Sequence, residues 1–175
     1  KAKGVVVGKN GYLFEETYIN DYLGASFVGQ ERVKDVVRRL SAIDSIFETM
    51  NKTFVVVFSP GKASFYPEFI PEQFKRVNDS TNYKSYRQAI LQAGIPFIDF
   101  NSYFLSMKSS SRIPLYPKTG IHWSDYGAIL AMDSINTYLI TEEGFPWETG
   151  QMFNHRYGDS VETCVTKGLS AMMDT

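Results

Sequence analysis

The run Thr53-Phe54-Val55-Val56-Val57-Phe58 sets the first constraint on the fold. It is continuous rather than alternating, rich in β-branched residues and too short for a helix. It therefore reads as a strand buried on both faces, the kind found inside a parallel sheet. Ser59-Pro60-Gly61 ends it. A second strand follows in Ile95-Pro96-Phe97-Ile98-Asp99, where Pro96 fits only at the start or on an edge because it has no N–H to donate. Between and around these runs the period changes to three and four. Val33, Val36, Val37, Leu40, Ile43, Phe47 and Met50 form one stripe of a helix over 30–50. Tyr83, Tyr86, Ile90 and Ala93 form another, stopped by Gly94. A third helix starts at Ser124, whose hydroxyl can cap it, and runs to about Ile140 with Ala128, Ile129, Met132, Ile135, Tyr138 and Leu139 inward. Strand and helix alternate from Phe54 onward, which predicts an α/β fold with a mostly parallel sheet covered on both faces.

The N-terminal segment differs. Gly4-Val5-Val6-Val7 and Tyr12-Leu13-Phe14 flank Gly8-Lys9-Asn10-Gly11, and Asn-Gly is a strong hairpin signal because both residues tolerate positive φ. Ser106 to Arg112 is a polar stretch. From Gly144 the periodicity fades, and only Val161–Val165 suggests another strand. The reading is one domain over residues 1–175, weakly patterned over 145–175.

Composition excludes several classes. A hydrophobic fraction of 43% in 175 residues supplies a core, so disorder is ruled out. The lone Cys164 forms no internal disulfide. Lys and Arg number 18 against 19 Asp and Glu, with no basic cluster, so no nucleic-acid partner is indicated. No apolar run approaches the ~18 residues of a membrane span. The chain begins at Lys1 rather than Met, which fits removal of a leader or anchor. With two histidines, no paired cysteines, no H-E-x-x-H and no glycine-rich nucleotide loop, the sequence indicates neither a protein zinc site nor any other metal or cofactor.

The residues able to carry chemistry are few. His122 sits between a loop and a capped helix, where an α/β domain displays a general base; local packing beside Trp123 is the plainer alternative. Ser59 ends the first strand, although Ser-Pro-Gly is also ordinary turn chemistry. Ser160 lies in Gly158-Asp159-Ser160, a short motif preceded by a poor strand. Lys62, just past that first strand, is placed to reach an anionic or carbonyl oxygen. Tyr66, Tyr116, Trp123 and Tyr126 suit either a sugar-binding cleft or the core and its rim.

Three segments taken in order carry a resemblance. They are Gly8 to Phe14, Pro60-Gly61-Lys62 with Tyr66-Pro67-Glu68, and Thr119-Gly120-Ile121-His122-Trp123-Ser124 with Gly127. Together they resemble the SGNH-hydrolase-like proteins of the alginate O-acetyltransferase group and related bacterial proteins with a D-H-H-W motif, over about Gly4 to Ile140. The resemblance implies a flavodoxin-like three-layer α/β/α sandwich and a Ser-His-Asp triad. It also implies action on acyl esters, chiefly acetyl groups of exported polysaccharides, outside the cytoplasm and beside export or acetylation machinery. In those proteins the acid and base come from an Asp-x-His-Trp element and the nucleophile from a later Gly-Asp-Ser. Here His122 matches the histidine, Trp123 the tryptophan, and Ser160 the nucleophile by motif and order. Lys62, Tyr66 and Trp123 fall to substrate binding. Gly120 stands where the aspartate belongs, with Asp99 and Asp125 as substitutes by residue type. The interval from His122 to Ser160 is short for this group, so a Gly-Asp-Ser element beyond Thr175 is the alternative. A carbohydrate-binding or assembly module with a degraded triad is the other functional class the residues allow.

Overall fold

A computed structural model describes residues 4–143 of the chain. It divides into two units, Lys1–Trp123 and Ser124–Thr175. Ser160 and the weak strand at 161–165 lie outside the described residues.

The first unit opens with the hairpin. Strands β1 (Val5–Val7) and β2 (Leu13–Glu15) pair antiparallel, with Val6 opposite Phe14. The connection is longer than a two-residue turn, a short 3₁₀ turn over Lys9–Gly11, but it uses the predicted residues. Asn10 and Gly11 stand at φ 55° and 74°, where a β-branched residue would be strained. Helix α1 (Glu16–Leu23) follows directly and presents Ile19 and Leu23, one turn apart, to Phe14, Ala63 and Ile70. These five form one buried cluster.

A second cluster is built around the parallel pair. Strands β3 (Val56–Phe58) and β4 (Phe97–Asp99) align Val56 with Phe97 and Phe58 with Asp99. Pro96 sits just before β4, and its carbonyl accepts from Val56 N at 2.9 Å, so the missing N–H costs the ladder nothing. Helices α2 (Gln30–Thr49) and α4 (Asn82–Ala93) cover one face, where Val33, Val37, Ile90 and Ile95 meet Val56, Phe58 and Phe97. Gly94 ends α4 in the left-handed region at φ 71°, as its position predicts.

Two expectations need correction here. The continuous apolar run is not a strand buried on both faces: Val57, alternating with Val56 and Phe58, is 40% exposed. Only three of its six residues pair, and among the described residues the strands form two two-stranded sheets. The α2 stripe is packed unevenly. Val33 and Val37 are buried and Phe47 meets Phe54 at a centroid distance of 5.9 Å, whereas Ile43 and Met50 are exposed. The α/β character with a parallel pair holds.

Helix α3 (Lys62–Phe65) begins just past β3, and helix α5 (Phe100–Met107) just past β4. The second takes in the start of the polar 106–112 stretch, carried by the inward Phe100, Asn101 and Phe104. In the second unit, helix α6 spans Asp125–Glu143, and the Ser124 hydroxyl accepts from Gly127 N at 3.1 Å, the predicted cap. Its buried positions are Gly127 and Ala131; Ala128 and Met132, expected inward, are exposed. Among the described residues no helix is long and apolar enough to cross a membrane.

One side chain ties the two ends of the first unit together. Lys62, at the start of α3, is fully buried. Its ammonium donates to Pro117 O at 2.6 Å, Lys118 O at 2.7 Å and Gly120 O at 2.8 Å. The rings of Tyr12 and Phe14 lie 5.4 and 5.5 Å from Nζ. Three donors thus meet three carbonyls, which only the charged form can satisfy. Burial nevertheless pushes the group down from 10.5 to about 8.

Lys62→Met keeps the stem and strands three carbonyls. It should destabilise the chain by on the order of 3 kcal/mol, read by urea denaturation. The folded chain holds this proton less tightly than the unfolded chain. Stability from this group is therefore flat below pH 8 and rises between pH 8 and 10.5. The difference between wild type and Lys62→Met should widen across that window; a constant difference would show that Lys62 does not titrate as described.

Candidate functional site

The segment held by Lys62 carries the histidine. Two more bonds fix its ends to the residue after the β3 turn. The buried Tyr116 hydroxyl donates to Pro60 O at 2.5 Å, and Trp123 Nε1 donates to the same oxygen at 3.4 Å. Burial pushes the Tyr116 phenol well above its ordinary value, so it remains a donor at any physiological pH. The Trp123 indole meets Phe100 and Phe104 of α5 edge-on, at centroid distances of 5.9 and 5.3 Å. Between Gly120, whose carbonyl is held, and Trp123, whose ring is held, His122 is exposed and hydrogen-bonds nothing among the described residues. A loop held on both sides of the histidine thus presents an exposed imidazole.

Gly120 has a steric reason. A Cβ built there would meet Pro117 Cγ at 2.6 Å. The backbone curls so tightly around the Lys62 ammonium that position 120 has no room for a side chain unless the proline ring moves.

The other candidates are distributed as follows. Lys62 directs all its donors inward to the loop, so its ammonium acts on the backbone beside His122. Tyr66 is half-buried at the rim, edge-on to Tyr12 at 5.1 Å, with the Lys108 ammonium 5.2 Å from its ring. Burial, with Tyr12 and Glu68 nearby, raises its phenol. Asp99 caps α5 through Ser102 N at 3.0 Å. It also accepts from Arg87 Nε at 2.6 Å, Tyr83 OH at 2.9 Å and Ser102 Oγ at 2.8 Å. Burial alone would raise its carboxyl, but the Ser102 N–H, Arg87, and the Ser102 and Tyr83 hydroxyls outweigh that and hold it below the usual range. Its acceptor sites are engaged in the fold. Asp125 is exposed in the first turn of α6.

Pro60 also borders a cavity of about 400 Å³ that the sequence did not reveal. Ser59 and Gly61 flank it, with Tyr18 and Tyr22 of α1, Lys84 of α4 and Asn101 of α5. The one readable signal was Asn101, an amide on the same helical face as Phe100 and Phe104. Among the described residues no group of histidines, cysteines and carboxylates is arranged to hold a metal.

Comparison with known proteins bears on the whole chain. The family described as "SGNH hydrolase-like domain, acetyltransferase AlgX" matches residues 5–163. The solved O-acetyltransferase domain of Pseudomonas putida AlgJ superposes with a TM-score of 0.65 at 18% identity, over 83% of this chain and 50% of that one. At that identity the likeness is one of fold, which is the SGNH hydrolase-like fold, and this chain spans about half the length of that domain. No curated protein matches the chain. The family match covers almost every residue, including the hairpin, the Lys62 element and the His122 loop: this chain belongs to the SGNH hydrolase-like, AlgX-type acetyltransferase family.

Proposed function

We propose that the chain catalyses acetyl transfer or acetyl-ester cleavage on the hydroxyls of an exported or cell-surface polysaccharide, outside the cytoplasm and alongside export machinery. The observation that carries this reading is His122, exposed and without a hydrogen bond among the described residues, on a loop held at Lys62, Tyr116 and Trp123, within a chain of this family. In the reaction a serine hydroxyl attacks the acetyl carbonyl as His122 accepts its proton. The tetrahedral intermediate then collapses, and His122 returns the proton to the leaving alcohol. An accepting sugar hydroxyl, or water, reverses the sequence and frees the serine. Ser160 is the serine we assign by motif and order. Backbone N–H groups serve the oxyanion, and Trp123 and Tyr66 supply aromatic surface toward the sugar. Lys62 acts on the reaction through the loop, as a positioning residue.

Two substitutions test the assignment. His122→Ala and Ser160→Ala should each reduce release of p-nitrophenol from its acetate ester at least 100-fold, with the folded state verified by circular dichroism. Undiminished release in His122→Ala would sink the reading, and undiminished release in Ser160→Ala alone would move the nucleophile elsewhere.

Gly120→Asp restores the residue type that the family pattern carries, yet it should not raise activity. It should instead destabilise the chain by about 1–3 kcal/mol through overpacking against Pro117. A more active and equally stable variant would show that the loop has room for the carboxylate.

A further inference from the structure

We infer that Lys62 is a proton switch for the His122 loop. Protonated, it holds the loop closed around its ammonium; deprotonated, it releases the limb from Gly120 to Trp123. The effect of that release on acetyl transfer rests on the reading proposed above, whereas the release itself does not.

The count of protons carries the inference. Lys62 is fully buried, so solvent does not stand in for a missing partner. Its three N–H groups meet Pro117 O at 2.6 Å, Lys118 O at 2.7 Å and Gly120 O at 2.8 Å. A neutral amine has two N–H groups and a lone pair. One buried carbonyl oxygen then faces that lone pair at contact distance, repelled and without a donor, and it must move.

Which carbonyl moves follows from the remaining anchors. Lys118 O also accepts Leu13 N at 3.0 Å, so it keeps a partner. Pro117 O is backed by its neighbour Tyr116, which is 1% exposed and donates to Pro60 O at 2.5 Å. That phenol keeps its proton far into the alkaline range, so this anchor does not titrate with Lys62. Gly120 O is backed by the Trp123 indole bond, which at 3.4 Å is much the longer of the two. The backbone at Gly120 is also crowded against the Pro117 ring. The Gly120 limb therefore gives way, and His122 lies within it.

The titratable side chains on the segments around the ammonium are Tyr12 of the hairpin, Tyr18 of α1, Tyr66 and Glu68 beyond α3, and Tyr116 and Lys118 of the loop. The one carboxylate among them, Glu68, pairs with Lys108 at 2.8 Å. No carboxylate pairs with Lys62 among the described residues, and burial lowers its ammonium to about 8. The release is local. An unfolded lysine keeps its proton up to 10.5, so losing the proton in the folded chain does not favour unfolding, and the loop opens on a folded protein.

The test is a pH titration of the full chain by nuclear magnetic resonance, with lysine and tryptophan isotopically labelled. The Lys62 Nζ signal, identified by its loss in Lys62→Arg, should titrate near pH 8. The Trp123 indole N–H signal, identified by its loss in Trp123→Phe, should shift with the same midpoint. Lys62→Arg keeps its charge, so its indole signal should stay constant across that range, and Tyr12→Phe should leave the wild-type midpoint in place. An indole signal that does not move, or that moves with a midpoint different from that of Lys62, would overturn the inference. This comparison within the wild type decides the matter even where Lys62→Arg does not fold. Turnover of p-nitrophenyl acetate, corrected for spontaneous hydrolysis, should fall roughly ten-fold one pH unit above the midpoint. Coupled transitions in a protein inert at every pH would overturn the acetyl-transfer reading and leave the switch standing. Turnover with an unmoved indole would do the reverse.

Discussion

A single buried ammonium decides the shape of the site. Lys62 donates to three carbonyls of one loop within 2.8 Å, in a pocket closed by two aromatic rings. Burying that charge is costly, and the cost is tolerable only while every donor has an acceptor. The loop must therefore wrap the ammonium closely, and the consequences propagate outward. Position 120 loses the space for a side chain, the chain leaves the wrap with His122 pointing away, and Trp123 lands where Pro60 O and the α5 rings can hold it. The hairpin joins the same arrangement, since Tyr12 and Phe14 supply the walls and Leu13 N donates to Lys118 O at 3.0 Å. Three segments far apart in sequence thus share one electrostatic centre. They are the same three segments that carry the resemblance read from the sequence.

That centre also explains why Lys62 could be recognised from sequence but its role could not. A lysine after a strand-ending turn is visible in the chain, and so is its suitability for an oxygen ligand. Whether the oxygens belong to substrate or backbone depends on where residues 117–120 return, which is a long-range fact. Local signals did better. The Gly94 stop, the Ser124 cap and the Pro96 strand start are each decided within a few residues and found as read, and Asn10-Gly11 turns the hairpin within a longer connection. The failures share one cause. Val57, Ile43 and Met50 were placed inside because apolar periodicity shows which residues align but not how far the opposing surface extends. Helices α1 and α5 are hard to read because they are eight residues each and begin directly at strand ends, so that Asp99, the α5 cap, is also the last residue of β4.

The aromatic content had two readings, cleft or core, and the structure divides it. Phe14, Phe65, Phe100, Phe104 and Tyr116 are buried. Tyr66, Tyr18 and Tyr22 stand at surfaces, the latter two on the cavity. Phenylalanine fills the interior and tyrosine the boundary, as expected where a polar end needs water or a partner. Tyr116 is the exception with a reason, because its hydroxyl reaches a backbone carbonyl. The partner makes its burial affordable and turns a core residue into a strut for the loop.

The missing aspartate becomes a question of geometry rather than of decay. A carboxylate next to a catalytic histidine fixes its tautomer and stabilises the imidazolium. Position 120 cannot provide it without moving Pro117, and Asp99 is held by the α5 cap, Arg87 and Tyr83. Yet the loop is not relaxed, as it would be in a site without selection for position. It is fixed at Lys62, Tyr116 and Trp123, and the residue left unconstrained between those anchors is the histidine. Orientation by backbone anchoring supplies part of what a carboxylate supplies, since a base held in place loses little entropy when it meets its partner. The remaining part, charge stabilisation of the imidazolium, is a separate electrostatic requirement that the loop's anchors do not meet. Under the acetyl transfer proposed above, a chain built this way depends for catalytic power on what approaches His122, while the pinned loop fixes where that approach must occur.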